Sequence, residues 1–468
     1  MKRQEKKTRW VWKFLGGILV LMGLLALVFL IRQGTQEVPQ EVTLKTGLRR
    51  PSLEEKTFSY PEGDFHLLKL GPYKRDRKDR VSIFVPGDHL QLAYYPDQDQ
   101  DLKLVDYQDE DLSLPLDSPL YVIGEEDYLA ISQALSFSQL DEANLVKEED
   151  TRPVEVDRVR GGFLLKYTYP LEEGAQGILW YLSSKEALVQ EGDREAYGRE
   201  DLYETGVLYF DGYYYQTDKT YKPYAPQAYF RIPSPYLARH HLSYLDRPLS
   251  RIFSRVLLDL TLDHINEAGF FPVEVESGWL KGDYGIPSGY YDNRWNTDLA
   301  HCLLKGYQEF KDPAYQAAYR KIIAYTLSHN QAHHKTLMGP EGQEGYLVDD
   351  YSHPGQESQT HTSLNHQLAV INLLLDAYGQ EGREDYLREA QGLLRGIEIL
   401  GPKWIKEDQD LHYAYLVDGS LGLLDYPRLT LNDLLLTQEL LEKTGQARSS
   451  VLDQLIQSKE AYLKSKGL

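Results

Sequence analysis

The sequence predicts an α+β chain in three parts: an N-terminal membrane anchor, a β-rich domain, then a C-terminal (α/α) toroid of helical hairpins. Three observations predict it. The run from Phe14 to Ile31, eighteen residues, carries no polar side chain. Short β-branched and aromatic runs bounded by Gly, Pro and Asp fill residues 58–245. After about residue 246 apolar residues recur at helical spacing. The 468 residues, 42% of them hydrophobic, are enough for one large domain or two ordinary ones.

The apolar run, FLGGILVLMGLLALVFLI, covers roughly 27 Å as a helix, and Trp10 and Trp12 extend it into the membrane interface. A cleavable signal peptide competes, but the run is long for one and no A-x-A site follows. An uncleaved anchor is the expectation. Basic residues Lys2, Arg3, Lys6, Lys7, Arg9 and Lys13 put residues 1–13 in the cytoplasm as a basic tail. Residues 14–31 then cross the cell membrane once, and the bulk of the chain lies outside. Net charge is −20, yet residues 1–32 are basic, so the remainder stands at about −26. That excludes a general nucleic-acid-binding surface. A single cysteine, Cys302, excludes a disulfide framework and a Cys-based zinc ribbon; it reads as a small buried apolar residue.

Residues 32–57 lack hydrophobic periodicity and read as a stalk. The β-rich domain follows, with strands in RVSIFVPGDHLQLAYY (80–95), GGFLLKYTYP (161–170), GILWYLSSK (177–185) and GVLYFDGYYYQTD (206–218). Tyr203, Tyr209, Tyr213, Tyr214, Tyr215, Tyr221, Tyr224 and Tyr229 crowd its end. Tyrosines there present either a sugar-stacking face or, more commonly, the cover of a sheet or domain interface. Residues 246–468 hold candidate helices at 249–268, 296–310, 313–333, 361–378, 383–400, 430–443 and 447–465, with stops at Gly269, Gly379 and Gly445. Alternately short and long loops join them, which is the pattern of hairpins around a cleft.

The long loops concentrate residues able to do chemistry. They are GYYDNRWNTD (289–298), LVDDYSHPGQESQTHTSLNH (347–366) and LHYAYLVDGSLGLLDYPRLTLND (411–433). Acids, phenols, imidazoles and aromatic platforms can converge there. His329 and His333 stand four apart without the glutamate of an H-E-x-x-H motif, so they read as structural and no metal is implied. No phosphate-binding glycine loop and no G-x-S-x-G elbow is present.

Three of these segments resemble the C-terminal domain of the D-glucuronyl C5-epimerases. Asp349-Asp350-Tyr351 with Pro354, running into the helix that opens Leu364-Asn365, is similar to the family's acidic loop and following helix. Asp425-Tyr426 with Asn432 and Leu434 is similar to its Asp-Tyr-His…Ile-Asn-Gln-Leu segment. SKEAYLKSKGL (458–468) is similar to the family's chain end. The resemblance covers roughly residues 250–468 and implies epimerisation of glucuronate within a polysaccharide, with no cofactor. Carried over, it implies Tyr351, Tyr426 and Tyr413 or Tyr415 as catalytic phenols. The family arginine that holds the uronate carboxylate has no counterpart in YLVDGS, leaving Arg294, Arg428 or Lys403 as cations.

The chemistry sets the remaining assignments. The C5 hydrogen of a uronate is α to its carboxylate, so its removal needs a base, a cation or donor for that carboxylate, and an acid on the opposite face. A tyrosine, with an ordinary pKa of about 10, is a natural donor. Tyr351, Tyr426 and Tyr415 are the candidate phenols, Asp350 and Glu357 the assisting carboxylates, and His353 or His361 a reserve base. Arg294, Trp295, Tyr291, Asn365, Arg428 and Asn432 are the candidate substrate contacts. A polysaccharide lyase would use the same abstraction and then expel the 4-linked sugar. A glycoside hydrolase would instead need paired carboxylates such as Asp298 and Glu357. A non-catalytic glycan-binding or envelope-assembly protein would keep the fold alone. Expected partners are a uronate-containing polysaccharide, the membrane through one helix, and a second copy as a homodimer.

Overall fold

The computed structural model describes residues 43–46, 53–95, 102–107, 112–114, 119–125, 127–140, 145–148, 154–189, 208–216, 219–225, 228–355 and 359–468. The expected tail and anchor, Tyr203 and Glu357 lie outside these residues. Among the described residues no helix is long and apolar enough to cross a membrane. The fold is mixed α and β.

Two antiparallel sheets form the N-terminal part. The smaller orders its strands Thr43–Thr46, Arg77–Pro86, Gly162–Leu171, Val154–Val159 and Leu112–Leu114. The larger is centred on Gln176–Ser184, flanked by Gly63–Leu70, Tyr128–Ile131 and Leu135–Gln139. Strand Gly162–Leu171 alternates: Phe163, Leu165, Tyr167, Tyr169 and Leu171 are buried against the larger sheet, while the residues between them face outward. Strand Gln176–Ser184 is apolar on both faces because both are covered. Leu179 and Tyr181 meet the smaller sheet; Ile178, Trp180 and Leu182 meet the helices.

The same core therefore continues into the helical part. Phe65, Trp180 and Phe253 pack with ring centroids 4.9–5.7 Å apart, joining sheet to helix. Asp259 accepts from Tyr60 Oη at 2.5 Å and from Tyr315 Oη at 2.6 Å, tying sheet, one helix and the next together. Tyr213, Tyr214 and Tyr215 are buried in this interface, so that section of the tyrosine-rich segment covers a sheet. Cys302 is buried, as its surroundings in the sequence indicate.

The helices are α1 (Pro235–His241), α2 (Pro248–Leu262), α3 (Gly278–Tyr284), α4 (Asn293–Phe310), α5 (Pro313–Ala332), α6 (Leu364–Glu381), α7 (Glu384–Leu400), α8 (Leu429–Lys443) and α9 (Ser450–Lys466). All seven expected helices are present, within a few residues at most ends. Helices α1, α4, α6 and α8 lie side by side as an inner row, and α2, α5, α7 and α9 pack behind them as partners in hairpins. The sequence encodes this division. Every residue of α6 from Leu364 to Ala377 is buried, as an element covered on all sides requires. Outer helix α9 buries only Leu452, Leu455, Ile456, Lys459 and Leu463. The inner helices α4, α6 and α8 all begin at the ends of the long loops.

Three expectations change. Residues 43–46 and 53–57, expected in the stalk, are sheet strands, paired with Arg77–Pro86 and Gly63–Leu70, because each finds an edge to complete. Helix α6 starts at Leu364, because Thr362–Ser363 is extended and pairs with His412–Tyr415. The short helices α1 and α3 are additions; each is only seven residues, too short for a clear period.

Candidate active site

The site forms where the N-termini of α4 and α6 meet the His412–Tyr415 strand. Its foundation is a two-residue ladder, in which Tyr291 pairs with Ser352 and Asp292 with Tyr351. Because side chains alternate along a strand, this pairing sorts the residues onto two faces. Tyr291 and Ser352 point outward to α5. The Tyr291 hydroxyl is 3.0 Å from Thr326 Oγ1, its ring lies 4.6 Å from that of His329, and Ser352 Oγ is 3.0 Å from His329 Nδ1. Tyr290, Asp292 and Tyr351 take the opposite face, with the Tyr290 and Tyr351 rings 5.9 Å apart.

Asp350 is the buried anchor, 0% exposed. Its Oδ1 accepts the Ser363 N–H at 2.8 Å, and its Oδ2 accepts the Ser363 hydroxyl. His361 Nε2 stands 3.2 Å from Oδ2, and His366 Nδ1 3.6 Å from Oδ1. The His361 contact lacks the alignment of a full hydrogen bond. Burial alone would raise this carboxyl, but His366, His361 and Ser363 together hold it below its ordinary range. Asp350 is therefore an ionised support.

Asp292 has the opposite character. It caps α4, accepting the Trp295 N–H at 3.0 Å. Burial, helped by the charges of Asp350 and Asp298, pushes its carboxyl up to about 7. A group that exchanges its proton near neutrality suits acid–base work. His366 Nδ1 lies 2.7 Å from Asn293 Oδ1; the Asn293 amide nitrogen donates elsewhere, to Asp349 O at 3.2 Å. The His366 Nδ1 thus carries the hydrogen, and burial holds the imidazole neutral, down to about 4.

Three phenols adjoin these groups. Tyr351 is packed against His361 and His366 at 5.8 and 5.7 Å. Its phenol is raised well above the ordinary value, by burial first and then by Asp292, Tyr413 and Asp350. Tyr413 lies 6.0 Å from His361 and 5.8 Å from Tyr426, and its phenol is likewise raised, mainly by burial. Both are held as proton donors. Tyr426 stands at the rim, 51% exposed. The Tyr284 hydroxyl is 2.8 Å from His361 Nδ1, and Trp279, 39% exposed, lies 5.9 Å from Tyr351 and 5.6 Å from His361. Trp279 is a partly open aromatic surface beside the phenols.

The structure thus brings Tyr351 and Asp350 together, and Tyr426 adjoins them from the rim through Tyr413. Tyr415 is turned away: its hydroxyl lies over the Gly419 turn, and Tyr413 occupies the position facing His361. Tyr291 is a wall residue on the far side of the ladder. Arg294 is a structural clamp rather than an open cation. Its Nη1 and Nη2 donate to Asp433 at 2.5 and 3.2 Å, Nε to Asp298 at 2.9 Å, and Nη1 to Asn365 O at 3.0 Å. Asn365 is accordingly buried beneath the site, and Trp295 is a half-buried wall packed 5.3 Å from Tyr236. Arg428 is exposed at the start of α8, two residues from Tyr426. Asn432 is exposed one turn further on. His353 sits in the turn after the ladder, where its Nδ1 accepts from Gly355 N–H at 3.1 Å.

Both ring nitrogens of His329 are engaged, with Ser352 Oγ and with Asp349 O at 2.8 Å, the structural role expected for it. Among the described residues no group of three or more His, Cys, Asp or Glu is arranged to hold a metal ion. Asp292 and His366 stand in the chemistry-bearing loops but carry no role in the sequence reading, and Tyr284, Trp279 and Ser363 are residues it does not single out. Ser277 and Gly285, capping α3 at both ends, were the available signal for the element carrying Trp279 and Tyr284.

Asp425, next to Tyr426, is held from below. Buried Lys459 on α9 donates to Asp425 Oδ2 and Asp410 Oδ1, both at 2.6 Å, and Thr430 donates to Asp425 Oδ1 at 2.6 Å. The chain end thereby fixes the loop that presents Tyr426.

No protein-family model matches the sequence, and no curated protein matches it. Solved structures do. A family 76 glycoside hydrolase from a bovine Bacteroides thetaiotaomicron strain is 13% identical, with 83% of this chain and 76% of that one covered and a TM-score of 0.39. Cellobiose 2-epimerase from Spirochaeta thermophila is 12% identical over 45% of this chain and 51% of its own, TM-score 0.35. A D-mannose isomerase is 13% identical over 50% of this chain and 71% of its own, TM-score 0.31. These neighbours are carbohydrate-active enzymes: a hydrolase, an epimerase and an isomerase.

Proposed function

We propose that this chain is a membrane-anchored, extracytoplasmic carbohydrate-active enzyme that removes and returns the C5 proton of a uronate within a polysaccharide. The observation that carries this reading is the cross-strand pair of Asp292, a carboxyl poised near neutrality, and Tyr351, a buried protonated phenol. In its ionised form Asp292 takes the C5 proton. Tyr351 and Tyr413 are the acids that return one. Asp350 and Ser363 do not react; they keep His361 and the α6 N-terminus in place beside the phenols. The developing charge on the substrate carboxylate calls for a cation, and Arg428 at the rim is the candidate. Trp279 offers the ring face on which a pyranose stacks.

The apolar run 14–31 supports anchoring, with residues from about 33 onward outside. The proposed division is a β-rich domain over 58–245 and an (α/α) toroid over 246–468, the two sharing one core. The test uses the full chain in detergent micelles with uronate and neutral polysaccharides in heavy water, followed by NMR. Deuterium at C5 without cleavage is the expected result. A 4,5-double bond makes the protein a lyase. No exchange on any uronan, with the fold intact, leaves a glycan-binding or envelope-assembly protein.

A further inference from the structure

We propose a second, separate binding site for an anionic sugar on the outer face of the helical array. It lies between the end of α5, the hairpin His334–Met338/Glu344–Val348, and α7. A pocket of about 460 Å³ opens there, within the size range of small-molecule sites, and it shares no lining residue with the candidate active site.

Its wall is built rather than incidental. The Tyr346 ring lies close against α7, where a Cβ on Gly392 would overlap the ring and one on Gly396 would overlap the Tyr346 backbone. Two glycines in one helix interior each weaken it by roughly 1 kcal/mol relative to alanine, a cost that close packing of this ring offsets. The Tyr346 hydroxyl reaches Glu389 O at 3.4 Å, and the His334 ring meets Tyr346 edge-on at 5.5 Å. The result is a fixed aromatic wall in a pocket of mixed polar and apolar lining, the arrangement on which a sugar ring stacks.

Charge selects the ligand. The acids here are already engaged: Glu389 Oε1 accepts the Asn330 amide at 2.9 Å, and Asp385 accepts from Arg383 at both oxygens. The cations are open. Arg388 is exposed and makes no ion pair among the described residues; Arg395 is exposed and uses only Nε, on Glu344 O at 3.0 Å. They stand two helical turns apart, about 10 Å along α7. The lining carries two arginines and two acids, and Arg383 offsets Asp385, which leaves the guanidiniums of Arg388 and Arg395 without a carboxylate partner among the described residues. Asn330 adds a buried amide whose Oδ1 has no hydrogen-bond partner among the described residues, a place for a hydroxyl donor. A hexuronate carries the required carboxylate, ring face and hydroxyls together. The choice of uronate rests on the function proposed above; the pocket itself does not.

The test is calorimetric titration and saturation-transfer NMR of the full chain in micelles with methyl β-D-glucuronide, methyl β-D-glucoside and acetate. The glucuronide should bind saturably, with the glucoside and acetate at least tenfold weaker. Arg388→Glu should weaken one component at least tenfold, while Arg428→Glu leaves that component intact. Glucuronide binding unchanged in Arg388→Glu, or equal binding of glucoside, overturns the proposal. If Arg388→Glu removes binding but no uronan shows C5 exchange, the outer site stands and the catalytic reading falls. If uronan exchange is seen but Arg388→Glu binds glucuronide as the parent does, the catalytic reading stands and the outer site falls.

Discussion

Lys459 should be indispensable although it lies outside the candidate site. Its ammonium is 0% exposed and sits between Asp410 and Asp425, at 2.6 Å from each. Lys459→Met removes the cation that joins the two carboxylates and keeps the side-chain volume nearly constant, so the loss is electrostatic and not a cavity. Deleting one partner of a buried ion pair costs about 3–5 kcal/mol. With a urea slope of about 3 kcal/mol/M, the unfolding midpoint should fall by about 1–1.7 M. The pH dependence has a definite sign. Asp425 is already raised by burial against the pull of Lys459 and Thr430, so without Lys459 the folded form binds protons more readily than the unfolded form. Stability of the variant therefore rises as pH falls through the raised range of Asp425, and its gap to the parent narrows on the acid side. Combining Lys459→Met with Asp410→Leu and Asp425→Leu replaces the whole buried ionic group by apolar side chains of similar volume, and should recover most of the loss. A Lys459→Met protein within about 0.5 kcal/mol of the parent, or a gap independent of pH, would refute this reasoning.

Four further outcomes follow. Arg294→Met should cost about 3–5 kcal/mol in urea unfolding, because it strands Asp433 between α4 and α8, where burial has already pushed that carboxyl up to about 6. Asp292→Asn should remove a pH-dependent limb of activity near 7; in stability, the parent should gain over this variant as pH falls from about 7 toward about 4, since the raised carboxyl binds its proton earlier folded than unfolded. Tyr291→Phe should lower stability by about 1 kcal/mol by losing the Thr326 bond while leaving any catalysis intact. Gly392→Ala should cost about 1–3 kcal/mol by driving a methyl group into the Tyr346 ring, measured by thermal unfolding, and should weaken glucuronide binding at the outer pocket.

The helices were legible because their burial is periodic and strong. Seven come through, and their loops gather the reactive residues at the starts of α4, α6 and α8. What escaped was the local geometry that sequence spacing does not encode. Tyr290 and Tyr291 look alike in the chain; only the pairing of Tyr291 with Ser352 tells which one faces the site. Tyr413 and Tyr415 share one strand face, and position along the strand separates them: Tyr413 meets His361 and Tyr426, whereas Tyr415 lies over the Gly419 turn. His361 and His366, five apart, would face different ways on one helix, yet both approach Asp350 because His361 precedes the helix in extended chain. Arg294 looked like an open cation because its partner Asp433 is 139 residues away. Asp292 was hidden for a further reason: a helix-capping aspartate is common, and only burial beside Asp350 and Asp298 makes this one unusual.

The measurement that bears most directly on the proposed chemistry is C5 deuterium incorporation into a uronate polysaccharide by the parent, Tyr351→Phe and Asp292→Asn, compared side by side in heavy water. Exchange by the parent is expected, with a loss of about 10²–10⁴-fold in each variant and stability otherwise retained. Exchange at the parental rate in both variants would contradict the proposal and remove the Asp292–Tyr351 pair from the chemistry.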